Sequence, residues 1–370
     1  MSGIYIHIPF CRKKCSYCDF HFSTSFSSYR DQMITAISDE LKERLIELSS
    51  TEPTTIYFGG GTPSLLKRDE IKILLQPVID NYPREQFTEI TLEANPEDIT
   101  EASLIDWKEL GINRLSIGIQ SFKQSDLQWM NRAHSIEESR KCIDLAKKIG
   151  FSNISVDLMY GLPELALSEW EQHIDEIISF NVNHISAYCL TIEKGTLLQK
   201  KVHNKIIQIP DERFIIEQYK TLISKLKSVG IEQYEISNFS KKGCHSIHNS
   251  NYWTGQKFIG VGPSAHSFDG KKRRWNIANN TKYIKKMDWY EVEVLSNNER
   301  WNEYILTRLR TTSGINLEKL KSLFDLDNQF LQTKKEFTEQ HWLIEENNRI
   351  TLTLEGQLRA DYIASGFFRV

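Results

Sequence analysis

No stretch of this 370-residue chain approaches the ~18 consecutive apolar residues that span a bilayer. Its opening, MSGIYIHIPF, has neither the basic segment nor the long apolar run of a secretory leader. The expectation is therefore a cytoplasmic protein with no transmembrane segment. Charge of one sign is also lacking: 46 Lys and Arg face 49 Asp and Glu, a formal net charge of −3. Such a balance gives no electrostatic case for a nucleic-acid partner. The one basic run, Lys271 to Arg274, reads as a solvated loop. Cysteine is scarce, six in all, so in a reducing compartment thiols or metal ligands are expected and disulfides are not. Cys142, Cys189 and Cys244 are scattered and read as small buried hydrophobes.

The chain does have an ordinary apolar fraction, 40%, and a length that suits one large domain plus a smaller one. Short β-rich runs recur at Gly3–Ile8, Thr54–Phe58, Thr88–Glu93, Arg114–Ile119, Asn153–Met159 and His184–Leu190, each followed by room for a crossover helix. Strands alternating with helices argue for α/β architecture with a parallel sheet. Six such units fit a partial (β/α)6 barrel of TIM type. Capping boxes are expected at Ser135 with Glu138 and at Ser168 with Glu171, and helix stops at Gly111 and Gly150. A seventh strand, Gln233–Ser237, precedes a His- and Gly-rich loop region. The texture changes after about Asn280. Helices over Glu299–Thr311 and Leu317–Phe324, a hairpin (Trp342–Glu345, Arg349–Leu354) and a last helix follow. That order resembles a winged-helix module. The expected domains are 1–240, a connecting segment 241–282, and 283–370.

The residues with chemistry cluster at the predicted C-terminal strand ends, where βα barrels place their sites. After the first strand come Cys11, Cys15 and Cys18, spaced C-x3-C-x2-C. Three thiolates from one loop suit an iron–sulfur cube with one iron left free, and that iron can chelate the amino and carboxylate groups of S-adenosylmethionine. A structural zinc with His21 as fourth ligand is the alternative. After the second strand comes Gly59-Gly60-Gly61-Thr62, a turn whose backbone can approach a charged ligand closely. Glu93, Gln120, Arg132 and Asp157 follow the next strands. Each could be a satisfied structural group. Together on the rim that holds the thiols, they point to a ligand.

CRKKCSYC, GGGTP, TLEANP, IGIQSF, VDLMYGLP and HNSNYW together are similar to the radical S-adenosylmethionine (radical SAM) proteins related to oxygen-independent coproporphyrinogen III oxidase. The resemblance runs from about Ile4 to the C-terminus. It implies a radical SAM barrel and a 4Fe-4S cluster on Cys11, Cys15 and Cys18. It implies SAM contacts from Tyr5, Gly60 and Glu93. It also implies a second SAM site lined by Tyr17, Gly61, Thr62, Gln120, Arg132 and Asp157. Phe20 stands where the oxidases carry a fourth cysteine, and the first strand begins almost at Met1. With HNSNYW, these features resemble the heme chaperone branch. That branch implies heme as cargo, an acceptor protein that can be membrane-bound, and an electron donor. The alternative is the oxidase, acting in porphyrin biosynthesis by oxidative decarboxylation. On residues alone His245, His248 and His266 read as loop groups. The resemblance makes His248 the candidate axial ligand to heme iron.

Overall fold

The computed structural model describes residues 2–49 and 51–369. Six strands form the parallel heart of the molecule: β1 (Ser2–Ile8), β2 (Pro53–Gly60), β3 (Glu89–Ala94), β4 (Arg114–Gln120), β5 (Asn153–Tyr160) and β6 (His184–Cys189). They pair in sequence order, each joined to the next by a crossover connection. Strand alternation sorts their side chains. Ile4, Ile6 and Ile8 of β1 are fully buried in the main apolar core. Tyr5 and His7 point to the opposite face, into the barrel, where Tyr5 stacks on Tyr57 with ring centroids 6.0 Å apart.

The large sheet does not stop at six strands. β7 (Glu232–Glu235) and β8 (Asn238–Ser240) pair beyond β6. On the other edge β9 (Lys257–Val261) runs parallel to β1, and β10 (His266–Phe268), β11 (Lys272–Asn276) and β12 (Tyr290–Val294) extend the sheet. The order is β12-β11-β10-β9-β1-β2-β3-β4-β5-β6-β8-β7. The segment 241–282, expected as a connector, thus supplies three strands of the sheet. HNSNYW, expected in a loop, lies in the helix Ile247–Trp253, whose first N–H groups donate to the buried Glu89 carboxylate at 2.8 and 2.9 Å. The basic run is no solvated loop either. Arg274, on β11, lies 3.8 Å over the Tyr290 ring and 3.6 Å from the buried Glu40.

A second apolar core begins at Trp301 and includes Ile305, Leu320, Phe330 and Phe337. It lies under a small antiparallel sheet, in which β13 (Ile315–Asn316) and β14 (Leu343–Glu346) flank β15 (Arg349–Leu352). Helix Asn328–Glu339, which the sequence reading did not anticipate, completes this winged-helix-like unit. The unit is tied to the barrel by backbone bonds, Ile236 N–H to Arg310 O (3.1 Å) and Thr312 N–H to Tyr234 O (3.0 Å).

The cap at Ser135 forms as expected, and Gly150 ends its helix at φ 95°. The other expected box shifts: helix Leu167–Ser179 starts after Ala166, whose N–H donates to Glu169 at 2.9 Å. A carboxylate three residues on satisfies that N–H without a hydroxyl cap. Among the described residues no helix is long and apolar enough to cross a membrane.

Candidate functional site

The loop after β1 carries the three thiols and is held by its neighbours. Cys11 N–H donates to Ser23 O at 3.1 Å, and Ser16 N–H to Met130 O at 2.9 Å. Arg12 clamps Asp98, which also accepts from Ser64 at 2.7 Å. Cys11, Cys15 and Cys18 open into a cavity of about 1010 Å³. Thr62 donates to Cys11 Sγ at 3.3 Å, and Arg132 Nη1 lies 3.6 Å from Cys15 Sγ. Burial pushes the Cys11 thiol up to about 12 and Cys18 up to about 11. Bound cations reverse such shifts and hold thiolates, so this donor set fits a metal cluster. Among the described residues no three His, Cys, Asp or Glu side chains converge on a single-ion site. His21, the fourth ligand of the zinc alternative, instead pairs with Asn280 at 2.7 Å. A cube spreads its thiolates over separate irons and needs no such convergence.

The opposite wall is backbone. Gly60 sits at φ 108°, where a Cβ would come within 2.6 Å of the His7 ring. A Cβ on Gly61 would meet Phe10 O at 2.6 Å. Only glycine leaves this cradle open. Gly60 N–H donates to Glu93 at 3.2 Å, and Tyr57 OH donates to the same carboxylate at 2.8 Å. Burial, reinforced by Asp157, raises Glu93 to about 7 against these hydrogen bonds. Burial likewise raises Asp157 to about 6, opposed by Ser186, Arg114 and Ser116. Gln120 ends β4 at φ 69°, just past a bulge, which turns its side chain into the cavity.

The structure therefore brings Cys11, Cys15, Cys18, Tyr17, Gly60, Gly61, Thr62, Glu93, Gln120, Arg132 and Asp157 to one cavity. It does not bring two others. Tyr5 lies behind Gly59, bonded to His7 at 3.2 Å, and lines a second cavity of about 910 Å³. His248 reaches neither cavity. Its ring is buried, stacked 5.0 Å from Tyr57, with Nδ1 paired to Thr55 (2.8 Å) and Nε2 to Tyr252 (2.7 Å). In this conformation neither nitrogen is free for an iron, because the motif is helical and turns its histidine into the barrel floor.

Sequence reasoning missed Asn95 as an individual. Its Oδ1 accepts from Arg132 Nη2 at 2.7 Å and its Nδ2 faces Thr62 at 3.5 Å. Its place after Glu93 in TLEANP, at a strand end, was the available signal. Cys142 is buried as expected, but Cys189 and Cys244 are only partly so, and Cys189 lines the first cavity.

A three-thiol loop and a glycine cradle on a partial βα barrel define a radical SAM protein, and the radical SAM superfamily model matches residues 5–177. The HemN C-terminal domain model matches residues 295–359. A heme chaperone HemW of Bacillus subtilis is 32% identical, covering 99% of both chains. That of Escherichia coli is 35% identical over 71% of this chain and 69% of its own. The radical S-adenosyl methionine domain-containing protein 1 of Danio rerio is 38% identical over 72% of this chain and 60% of its own. The solved coproporphyrinogen III oxidase (HemN) of E. coli superposes with a TM-score of 0.84 at 20% identity, over 99% of this chain and 90% of its own, and so shares the fold. The chain belongs to the HemW family of radical SAM proteins. That family typically carries a 4Fe-4S cluster and SAM.

Proposed function

We propose that this protein is a radical SAM heme chaperone, which binds heme and passes it to an acceptor protein. It is organised as a barrel unit up to residue 294 with a cap from residue 295. Cys11, Cys15 and Cys18 would hold the 4Fe-4S cluster. That cluster, once reduced by an external donor, supplies one-electron chemistry to SAM. Gly60 offers its backbone to the SAM amino-acid end, and Glu93 accepts from it. Tyr5 holds Gly59 in place from behind. Tyr17, Gly61, Thr62, Gln120, Arg132 and Asp157 would line a second SAM position, with Arg132 set to receive a carboxylate. The winged-helix-like unit closes the mouth through Arg310, Gln357 and Arg359, which line the same cavity, and so limits water access.

The observation that carries the reading is the opening of three thiols from one strand-end loop opposite Gly60 and Gly61. Anaerobic reconstitution with iron and sulfide, followed by EPR with and without SAM, tests it. The expected result is about four irons per chain and a cluster signal altered by SAM. A lone zinc, or a spectrum indifferent to SAM, overturns it. Under the same reducing conditions coproporphyrinogen III should not be turned over. Phe20, 68% exposed at the cavity edge, offers no thiol where the oxidases have one.

A further inference from the structure

The proposed function requires a place for heme, and the motif histidine does not provide it. Four histidines lie on or near the second cavity. His248 has both nitrogens engaged and does not line it. His7 lines it, but pairs with Tyr5 at 3.2 Å and with His21 O at 2.9 Å. His21 spends Nε2 on Asn280. His266, at the start of β10, lines the cavity and makes no hydrogen bond through either ring nitrogen among the described residues; its ring stacks on Trp275 at 6.3 Å.

The walls around His266 have a second property. Phe20, Tyr252, Trp253, Phe258, Phe268 and Phe324 supply flat apolar surface. Tyr252 and Phe258 stand edge to face at 4.5 Å, fixing one wall. Cations lie toward the winged-helix-like unit. Arg273 is paired with Glu303. Arg308 donates to Thr254 O at 2.8 Å and lies 5.3 Å from the Tyr304 ring, and among the described residues it has no carboxylate partner. Arg300 and Lys319 also line the cavity, and among the described residues neither has an ion-pair partner. A flat aromatic slot with unpaired cations at one side and a free imidazole matches a planar dianion that carries a metal at its centre. The volume, about 910 Å³, lies in the range of cofactor-sized pockets.

We propose that the second cavity, between the barrel edge and the winged-helix-like unit, is the heme site. His266 is the axial ligand there, and Arg300, Arg308 and Lys319 receive the propionates. This rests on the heme-binding part of the proposed function. The site shares Asp19, Phe20, Gly60 and Glu93 with the first cavity, so its occupant would stand one wall from the thiol loop.

The test is titration of the full chain with hemin, followed at the Soret band, beside titration with metal-free protoporphyrin IX, followed by fluorescence. His266→Ala should shift the Soret maximum and weaken hemin binding by ~tenfold or more, while protoporphyrin binding stays within about twofold. Arg300→Glu with Lys319→Glu should weaken both ligands by ~tenfold. His248→Gln, judged folded by circular dichroism, should keep the wild-type Soret position. If wild-type chain binds no hemin, the proposed function itself fails. If it binds hemin, and His266→Ala and the double variant bind it unchanged, the placement fails and the function stands. A Soret shift in His248→Gln with none in His266→Ala likewise overturns the placement.

Discussion

The first cavity is walled by thiols, half-buried carboxylates, the half-buried Arg132 and bare backbone. The second, across the partition of Asp19, Phe20, Gly60 and Glu93, is walled by aromatic rings and by cations of which Arg273 is paired with Glu303. The first suits a small, charged, multidentate ligand that must be held at fixed angles. The second suits a large, flat, amphipathic one held by area. Polar groups in the first are tied to one another, as where Arg132 bridges Asn95 Oδ1, Gly118 O and the Cys15 thiol. In the second, Arg273 is paired with Glu303, while among the described residues Arg300, Arg308 and Lys319 have no carboxylate partner. A site built on a network is pre-organised but intolerant of change, whereas a site built on apolar area loses affinity by degrees.

The strongest way to break this comparison is to empty one side. Cys15→Ala should abolish cluster incorporation, read as loss of iron, sulfide and the EPR signal. Hemin affinity should change by less than ~threefold, because among the described residues no thiol lines the second cavity. If hemin binding disappears with the cluster, the two cavities form one site. Gly60→Ala acts on the partition itself. Its φ of 108° and the 2.6 Å approach of a Cβ to His7 predict a loss of ~2–4 kcal/mol in stability by denaturant unfolding. SAM and hemin binding should both suffer, which no substitution confined to one cavity should achieve.

A pH series sharpens the contrast. Glu93 is raised from 4.5 to about 7 and Asp157 from 3.8 to about 6, both chiefly by burial. The folded chain therefore holds protons that the unfolded chain has released. Stability from these groups is present below pH ~4 and is lost as pH rises toward ~7, on the order of 3 kcal/mol for each. Thermal unfolding of cluster-free chain should show this decline between pH 5 and 7 as Tm falls by a few degrees, order of magnitude. Glu93→Gln and Asp157→Asn should flatten the slope, even if the Glu93→Gln amide offsets the whole curve by meeting Gly60 N–H with a donor. An unchanged slope would mean the carboxyls titrate normally.

What the sequence made legible follows the same division. The first cavity is assembled from strand ends. Each contributes a short local motif whose meaning survives without the fold: CRKKCSYC, GGGTP, TLEANP, VDLMYGLP. The six parallel strands were readable for the same reason, since each βα unit repeats one pattern. The second cavity draws on Phe20, Trp253, His266, Arg300 and Phe324, which are far apart in the chain and carry no shared spacing. The strands that bring them together, β9 to β12, sit in a stretch rich in Gly, His and charge that reads as loop. Arg274 illustrates why. Its place in a sheet depends on Tyr290 and Glu40, partners that no local window contains. His248 differs in the opposite way: its motif was legible, but the helix phase that points it at Thr55 was not.

The smallest expected effect falls on the partition's one exposed aromatic. Phe20 is 68% exposed, so Phe20→Ala should alter stability by no more than about 0.5 kcal/mol. Its ring borders both cavities, yet only the second uses apolar area for binding. Cluster content and SAM response should therefore match wild type, while hemin affinity drops by ~two- to fivefold, the cost of about one ring face removed from a slot with several others. Fluorescence of metal-free protoporphyrin IX should report the same drop, since the ring contacts the macrocycle and not the metal. Equal loss of SAM and hemin binding would mean that Phe20 orders the whole thiol loop, and the two walls would then have to be treated as one.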